Sequence, residues 1–222
     1  MWWGFNDVRS LSGGNITVFL HICHRIWDGF LKSESSIDPE KRSDLLGGES
    51  IGRNIQAAGI LFASNEWFNK LPEEPGGNAR KSFVARLGAT LNEKMMSDLR
   101  MAYPGGNGIS IAITEFGADS PEMIELRNFV NEAVGYGVLF ESEHSSKSKL
   151  GGRRKKFYLN PILCPRFQLP EARTKEPYYW RVDELFDLLK LANVTLKRRT
   201  RTPQAKPNES LPLFPDLDGT KK

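Results

Sequence analysis

The chain of 222 residues is 39% hydrophobic, so it can bury a core of its own, as one larger domain or as two small ones. Its two cysteines, Cys23 and Cys164, lie far apart and exclude a disulfide framework, and no apolar run approaches the length of a membrane span. The formal net charge is +4, and we expect a soluble protein of the cytoplasm.

The first helix is predicted from Ile16 to Leu31, where apolar residues recur at helical spacing. Asn15 or Ser12 can accept the amide protons of its first turn. Residues 33–48 are polar, contain Pro39 and end in a pair of glycines, which favours a linker or a weak helix. We therefore treat residues 1–48 as one helical segment.

Two more helices are predicted before the pattern changes. Residues 49–78 contain a connecting helix that starts near Ile51 and stops at a turn rich in proline and glycine, residues 72–77. The next helix runs from about Ala79 to Ala102, because one apolar stripe continues until the glycines at 105–108.

Residues 109–114 are nearly alternating and β-branched, which predicts a short strand. Ser120 then provides an N-cap and Pro121 the first residue of a helix that extends to Gly135. Only residues 115–119 are left for a short helix between the strand and this helix.

A β-hairpin with a basic loop follows. Val138-Leu139-Phe140 and Phe157-Tyr158-Leu159 frame residues 145–156, which carry six basic side chains. The order helix, strand, helix, strand, basic loop, strand is typical of a winged-helix domain, here residues 79–170. The predicted fold class is mainly α with a small β-hairpin, a winged-helix domain preceded by a helical subdomain.

The carboxy-terminal residues divide into two segments. Residues 171–196 contain a closing helix from Val182 to Ala192, for which Asp183 is the expected cap. Residues 197–222 are basic and rich in proline, which predicts a disordered tail.

Leu11-Ser-Gly-Gly-Asn15 opens an amphipathic helix that is followed much later by the helix and the basic wing. In this the chain resembles the carboxy-terminal lid and winged-helix region of origin-recognition or initiator-type AAA+ ATPases. The resemblance implies that residues 1–48 form a lid-like segment, and that the chain is part or a relative of a larger ATPase.

Two departures from that family bear on nucleotide binding. Its lid helix often starts with Gly-Asn-Pro-Arg, whose arginine senses the nucleotide, whereas this chain has Gly14-Asn15-Ile16-Thr17. The chain also has no Gly-x-x-x-x-Gly-Lys-Ser/Thr loop to hold a triphosphate. We expect no ATP hydrolysis by this chain and no cofactor.

The candidate nucleic-acid-binding residues are basic and belong to two clusters. Residues 144–170 contain seven bases and no acid, and residues 188–208 contain six bases and no acid, a segregation that favours an anionic partner. The alternatives are a solvated loop and an ordinary solvated terminus. The candidates are Lys147, Lys149, Arg153, Arg154, Lys155 and Lys156 in the wing, with Arg198, Arg199 and Arg201 in the tail.

The helix from Pro121 to Gly135 is acidic for a recognition helix, so we interpret it as a packing helix. Among its residues only Arg127, Asn128 and Asn131 suit base-specific contacts. Binding is therefore expected to depend on the nucleic-acid backbone and shape. Tyr178, Tyr179 and Trp180 could stack on single-stranded bases, although a place in the core is the preferred interpretation.

Metal binding and catalysis receive little support. His21, Cys23 and His24 share one helix, but no further ligands follow at a usable spacing. Glu141 and Glu143 lie on the same face of one strand without the lysine of a nuclease-like site, so they are interpreted as solvent-facing acids.

Two functions remain open. The first is a non-enzymatic module that binds nucleic acid, preferably duplex DNA, through the basic wing. The alternative is a protein-interaction or regulatory module of a larger ATPase assembly, with no direct contact to DNA.

Overall fold

The structure of the chain, a computed structural model, describes residues 2–37, 48–97, 106–148, 152–172 and 177–196, and only the backbone of residues 143–148, 152 and 153. In these ranges the helices are α1 (Gly4–Leu11), α2 (Ile16–Ser35), α3 (Arg53–Lys70), α4 (Gly77–Ser97), α5 (Ile113–Phe116), α6 (Pro121–Gly135) and α7 (Val182–Leu191). The strands are β1 (Gly108–Ala112), β2 (Leu139–Ser148), β3 (Gly152–Leu159) and β4 (Tyr178–Trp180).

Helix α2 confirms the first predicted helix and its cap. The Asn15 side-chain oxygen accepts hydrogen bonds from the backbone amides of Thr17, at 2.9 Å, and Val18, at 3.4 Å. Helix α1, which precedes it, has no counterpart among the predicted elements. It is short, but it buries Val8 and Leu11 in the core.

Helices α2 and α3 approach each other closely at Gly59. A Cβ atom at this position would lie 2.7 Å from the Cα atom of Ile26, which is closer than real contacts allow. The same pair of helices is joined by Arg25, whose guanidinium donates to the two carboxylate oxygens of Glu66 at 2.7 and 2.8 Å. The missing side chain at Gly59 therefore sets the distance between the two backbones.

Helix α3 ends in the turn Leu71–Glu73, as the proline and glycine signals predict, and α4 follows. The predicted end of α4 near Ala102 lies outside the described residues. In the middle of α4, Gly88 faces the ring of Phe167, which a Cβ atom there would overlap. Phe167 also meets Phe68 of α3 edge to face, with ring centroids 5.9 Å apart.

The segment β1–α5–α6–β2–β3 follows the order of a winged-helix domain. Helix α5 supplies the short helix between the first strand and α6, and it begins at Ile113, two residues before the expected range 115–119. Helix α6 starts as predicted: Ser120 Oγ accepts from the amide of Met123 at 3.3 Å, and Pro121 is the first helical residue. The predicted fold class is confirmed.

The strands of the described residues form one sheet in the order β2–β3–β1–β4. Strand β3 is antiparallel to both β2 and β1, whereas β4 runs parallel to β1, with Ile109 opposite Tyr178 and Ile111 opposite Trp180. The pattern of the sequence did not predict β4, because three residues are too few to show a strand periodicity.

The N-cap of α7 is not the predicted residue. The N-cap position belongs to Arg181, not to Asp183. The Glu184 carboxylate accepts from the backbone amide of Arg181 at 2.8 Å, while Asp183 pairs with the Arg181 guanidinium at 2.9 Å. An acid three residues into the helix thus takes the place of the expected cap.

The hairpin also differs from the expected loop at residues 145–156. Strand β2 continues to Ser148 and β3 begins at Gly152, so most of these residues belong to a two-stranded ribbon. The register shifts between Ser142, which pairs with Lys156, and Ser146, which pairs with Arg154. Three residues of β2 therefore face one residue of β3, which makes a β-bulge.

Buried apolar residues of α1 to α4 and of the winged-helix segment belong to one hydrophobic cluster, which extends from Val8 to Leu189. The proposed boundaries at residues 48, 78, 170 and 196 stay predictions. Among the helices of the described ranges, none is both long and apolar enough to cross a bilayer.

Replacing Gly59 with alanine is expected to destabilise the protein relative to the same change at Gly29. Overpacking a core site costs about 1–3 kcal/mol, whereas the helix propensity of alanine favours both variants by about 1 kcal/mol. At Gly29 an added Cβ would meet only Ile55 Cγ2, at an ordinary distance of 3.4 Å. Urea unfolding measures both variants, and equal midpoints would contradict the close crossing.

Candidate nucleic-acid interface

The β2–β3 ribbon extends beyond the rest of the sheet. Strand β1 pairs with β3 only from Arg154 to Tyr158, whereas the ribbon continues through two further pairs, Lys147 with Arg153 and Ser148 with Gly152. The ribbon therefore has a base, where β3 is flanked on both sides, and an outer part, where only β2 and β3 pair.

Arg154 lies on β3 in the base of the ribbon and contacts two other strands. Its Nε donates to the Ser110 hydroxyl at 3.0 Å, and its Nη2 donates to the carbonyl oxygens of Ser110 at 2.8 Å and Trp180 at 3.0 Å. The guanidinium also lies 4.8 Å from the ring centroid of Tyr179. Since β3 carries Arg154, β1 carries Ser110 and β4 carries Trp180, one cation joins the three strands.

Lys155 and Lys156 are also engaged within the molecule. Lys155 Nζ lies 2.8 Å from the carboxylate of Glu141 on the neighbouring strand, and both side chains are partly exposed. Lys156 is buried, and it also interacts with another group of the protein. The three bases at the base of the ribbon thus have intramolecular partners, which the sequence pattern did not predict.

The remaining candidates are placed as follows. Lys147 and Arg153 form the outer pair of the ribbon, and only their backbone is described. Lys149 and the tail residues Arg198, Arg199 and Arg201 lie outside the described residues. Their assignment to nucleic-acid binding stays a prediction, as it does for Arg154, Lys155 and Lys156.

Helix α6 has an acidic exposed face, as the sequence predicts. Met123, Leu126, Val130 and Ala133 are buried, whereas Glu122, Asn128, Asn131 and Glu132 are exposed. Arg127 does not extend from this face, because it donates to the carbonyl oxygens of Phe116, at 3.3 Å, and Ala118, at 3.1 Å. Its contacts hold the loop between α5 and α6.

The three aromatic residues of β4 have different environments. Trp180 is buried against the core, and Tyr178 is partly buried beside it, which agrees with the preferred interpretation as an anchor. Tyr179 is 52% exposed at the edge of the sheet and stacks with Arg154.

No cluster of metal-binding side chains is found in the part of the chain that the structure describes. His21 Nε2 lies 3.5 Å from Glu66, and His24 Nδ1 lies 3.6 Å from Asp28, so both histidines are next to carboxylates. Desolvation lowers the pKa of His21, while burial raises the pKa of Cys23 and brings that of Cys164 to about 12. Burial thus disfavours the thiolate form of both cysteines.

The fold and the ribbon define the class of protein: a helical subdomain followed by a winged-helix arrangement. The family model described as ORC-CDC6-like matches residues 1–178. The chain therefore belongs to the ORC-CDC6-like family, in agreement with its resemblance to the carboxy-terminal region of initiator-type AAA+ ATPases. A comparison with curated proteins found no significant match, and neither did a comparison with solved structures.

Arg154→Met is expected to destabilise the protein more than Lys155→Met, although each removes one positive charge from the same strand. Hydrogen bonds that involve a charged group contribute about 1.5–3 kcal/mol to stability, whereas a partly exposed ion pair such as Lys155–Glu141 contributes about 0–1 kcal/mol. Urea unfolding at neutral pH compares the two variants. Equal losses of stability would contradict the structural role of Arg154.

Proposed function

We propose that the chain is a non-enzymatic nucleic-acid-binding module that docks on duplex DNA through the β2–β3 ribbon. The membership of the ORC-CDC6-like family supports a function beside an initiator-type ATPase. The contacts of the ribbon are with phosphates rather than with base edges, so the binding depends on the backbone and shape of the duplex and not on one sequence.

The observation that carries this proposal is the outer pair of the ribbon, where Lys147 is directly opposite Arg153. Two like charges at opposed positions of an antiparallel pair destabilise the ribbon. The sequence from His144 to Pro170, which contains both residues, has no acid. An anion bound at the outer part of the ribbon removes the repulsion, and a phosphate backbone supplies such anions at regular spacing.

The contacts at the base of the ribbon separate the candidate bases into two groups with different roles. Arg154 joins the ribbon to β1 and β4, and Lys155 pairs with Glu141 within the ribbon. The outer cations Lys147, Lys149 and Arg153 are then the ones we assign to direct phosphate contacts. The tail residues Arg198, Arg199 and Arg201 follow the last described residue, Leu196, and add a second contact with the duplex.

Helix α6 takes no part in base-specific contacts under this proposal. Its exposed acids Glu122 and Glu132 repel phosphates, and Arg127 is held by backbone carbonyls. A winged-helix segment that presents its wing, and not this helix, recognises a duplex without reading its sequence.

A second function, interaction with another protein such as an ATPase core, is favoured by a separate observation. Helix α2 has exposed apolar residues on the face that turns away from the core, among them Leu20 and Trp27. Exposed patches of this kind mark protein contacts. The two functions use different surfaces, so each can be tested by itself.

Neutralising the outer cations with Lys147→Gln, Lys149→Gln and Arg153→Gln is expected to weaken binding to duplex DNA and to flatten its salt dependence. Each lost phosphate contact reduces the slope of log affinity against log salt by about 0.9, so three lost contacts reduce it by about 2.7. Fluorescence anisotropy with a labelled duplex at several salt concentrations measures the slope.

The matched control carries the same loss of charge elsewhere, as Arg9→Gln, Lys32→Gln and Arg86→Gln, at exposed positions of α1, α2 and α4. This control is expected to keep the slope of the parent chain. A parent chain that does not bind duplex DNA, or an equal change in both triple variants, would reject the ribbon as the docking surface. Arg198→Gln, Arg199→Gln and Arg201→Gln test the tail in the same assay.

A further inference from the structure

A groove runs along the exposed face of α6, and we call it the α6 groove. Its first part has a volume of about 190 Å³ and lies beside the start of α4, and its second part has a volume of about 420 Å³ and extends to the end of α6. Asn128 and Glu132 line both parts, so the two parts adjoin. The other lining residues on α6 and directly after it are Glu125, Phe129, Asn131, Gly135 and Tyr136.

The chain itself enters the α6 groove where the described residues end. After α7 the backbone turns, and the amide of Val194 donates to the carbonyl oxygen of Leu189 at 3.0 Å. Val194 and Leu196 then pack against the core, and Thr195 and Leu196 line the first part of the groove. The next residue, Lys197, is therefore attached to a residue that forms the wall of the groove.

The α6 groove is acidic, and the segment that follows Leu196 is basic. Among the described residues that line the groove, Glu125 and Glu132 are charged and none is basic. Each of these two acids interacts with another group of the protein, and a carboxylate has acceptor sites for more than one donor. The next five residues of the chain, 197–201, contain four bases. The charges of the groove and of this segment are therefore complementary.

The far end of the groove also favours cations. It lies at the carboxy terminus of α6, where the helix dipole is negative, and the described residues of the last turn of α6 include no base. Arg80 stacks on the ring of Tyr136 at 3.7 Å, but it is buried and donates to the carbonyl oxygen of Pro75. Its charge does not reach the surface of the groove.

The length of the basic segment matches the length of the groove. From Asn128 to Tyr136 a helix rises by about 12 Å, at about 1.5 Å per residue. An extended chain spans about 3.3 Å per residue, so about four residues after Leu196 cover this distance. The stems of lysine and arginine are apolar and suit the ring of Phe129, while their charged groups reach the carboxylates.

We propose that the α6 groove holds the basic segment 197–201 of its own chain when no nucleic acid is bound. The occupant is this segment because the chain already lies in the groove at Leu196, and because the charge and the length of the segment fit. The tail cations then have two alternative partners, which are Glu125 and Glu132 in the free chain and phosphates in the complex. The exchange between them rests on the proposed function, whereas the contact with α6 does not.

The first experiment measures the contact without DNA, through a disulfide between the groove and the tail. In a Cys23→Ser background, Asn131→Cys and Thr200→Cys introduce two thiols without changing a charge, and Cys164 is fully buried. In a glutathione redox buffer, the fraction of disulfide gives the effective concentration of the two thiols. Adding Glu132→Gln should lower this concentration by about threefold, because an exposed ion pair changes an equilibrium only severalfold.

The matched control is Glu93→Gln, which removes the same charge from an exposed position of α4. It should leave the effective concentration unchanged. Equal effects of the two variants would overturn the proposal, and so would an effective concentration that high salt does not lower. A disulfide that forms only between two chains also overturns it, and assigns the groove to the tail of another copy.

The second experiment measures the exchange, by fluorescence anisotropy with a labelled duplex. A docked tail cannot contact phosphates, so the apparent affinity falls with the fraction of chains whose tail is free. Glu132→Gln should therefore raise the affinity by up to about threefold more than Glu93→Gln does. With Arg198→Gln, Arg199→Gln and Arg201→Gln also present, the two variants should have equal effects, because the segment has lost three of its charges.

A difference between the two glutamate variants that persists without the tail arginines would overturn the exchange, because Glu132 would then act on the duplex directly. A chain that does not bind duplex DNA rejects the proposed function and not the contact with α6. The disulfide measurement decides that contact by itself, so the two failures are distinguishable.

Discussion

The guanidinium of Arg154 holds together the sheet on which the winged-helix segment is built. It lies on β3 and donates to Ser110 of β1 and to the carbonyl oxygen of Trp180 on β4. The parallel ladder of the three-residue strand β4 with β1 is short, so these hydrogen bonds add to the packing of Trp180 in keeping β4 on the sheet. Because α7 follows β4 directly, the position of the closing helix also depends on this cation.

The intramolecular contacts of Arg154 show that bases clustered in the sequence need not form one binding surface. Six bases close together in the sequence suggest one surface with one purpose, yet Arg154, Lys155 and Lys156 each have a partner within the molecule. Charge counted along the chain therefore overstates the charge that is available to a ligand. The cations of the outer ribbon differ because the ladder there brings Lys147 and Arg153 together with no β1 strand beside them.

The features that were predictable from the sequence depend on nearby residues. Ser120 and Pro121 specify the start of α6, and Asn15 specifies that of α2, because a cap interacts within one turn. The contacts of Arg154 were not predictable, since Ser110 and Trp180 lie 44 and 26 residues away along the chain. Strand β4 was missed for the same reason: its three residues become a strand only through their pairing with β1.

Phe167 makes the helical subdomain and the winged-helix segment dependent on each other. Its ring fills the space left by Gly88 on α4 and meets Phe68 on α3 edge to face. If the ring of Phe167 moved away from either helix, it would leave a cavity beside both α3 and α4. Heating should therefore melt both parts in one cooperative transition, and the amides of α3 and α4 should exchange with solvent at the same slow rate, limited by global unfolding.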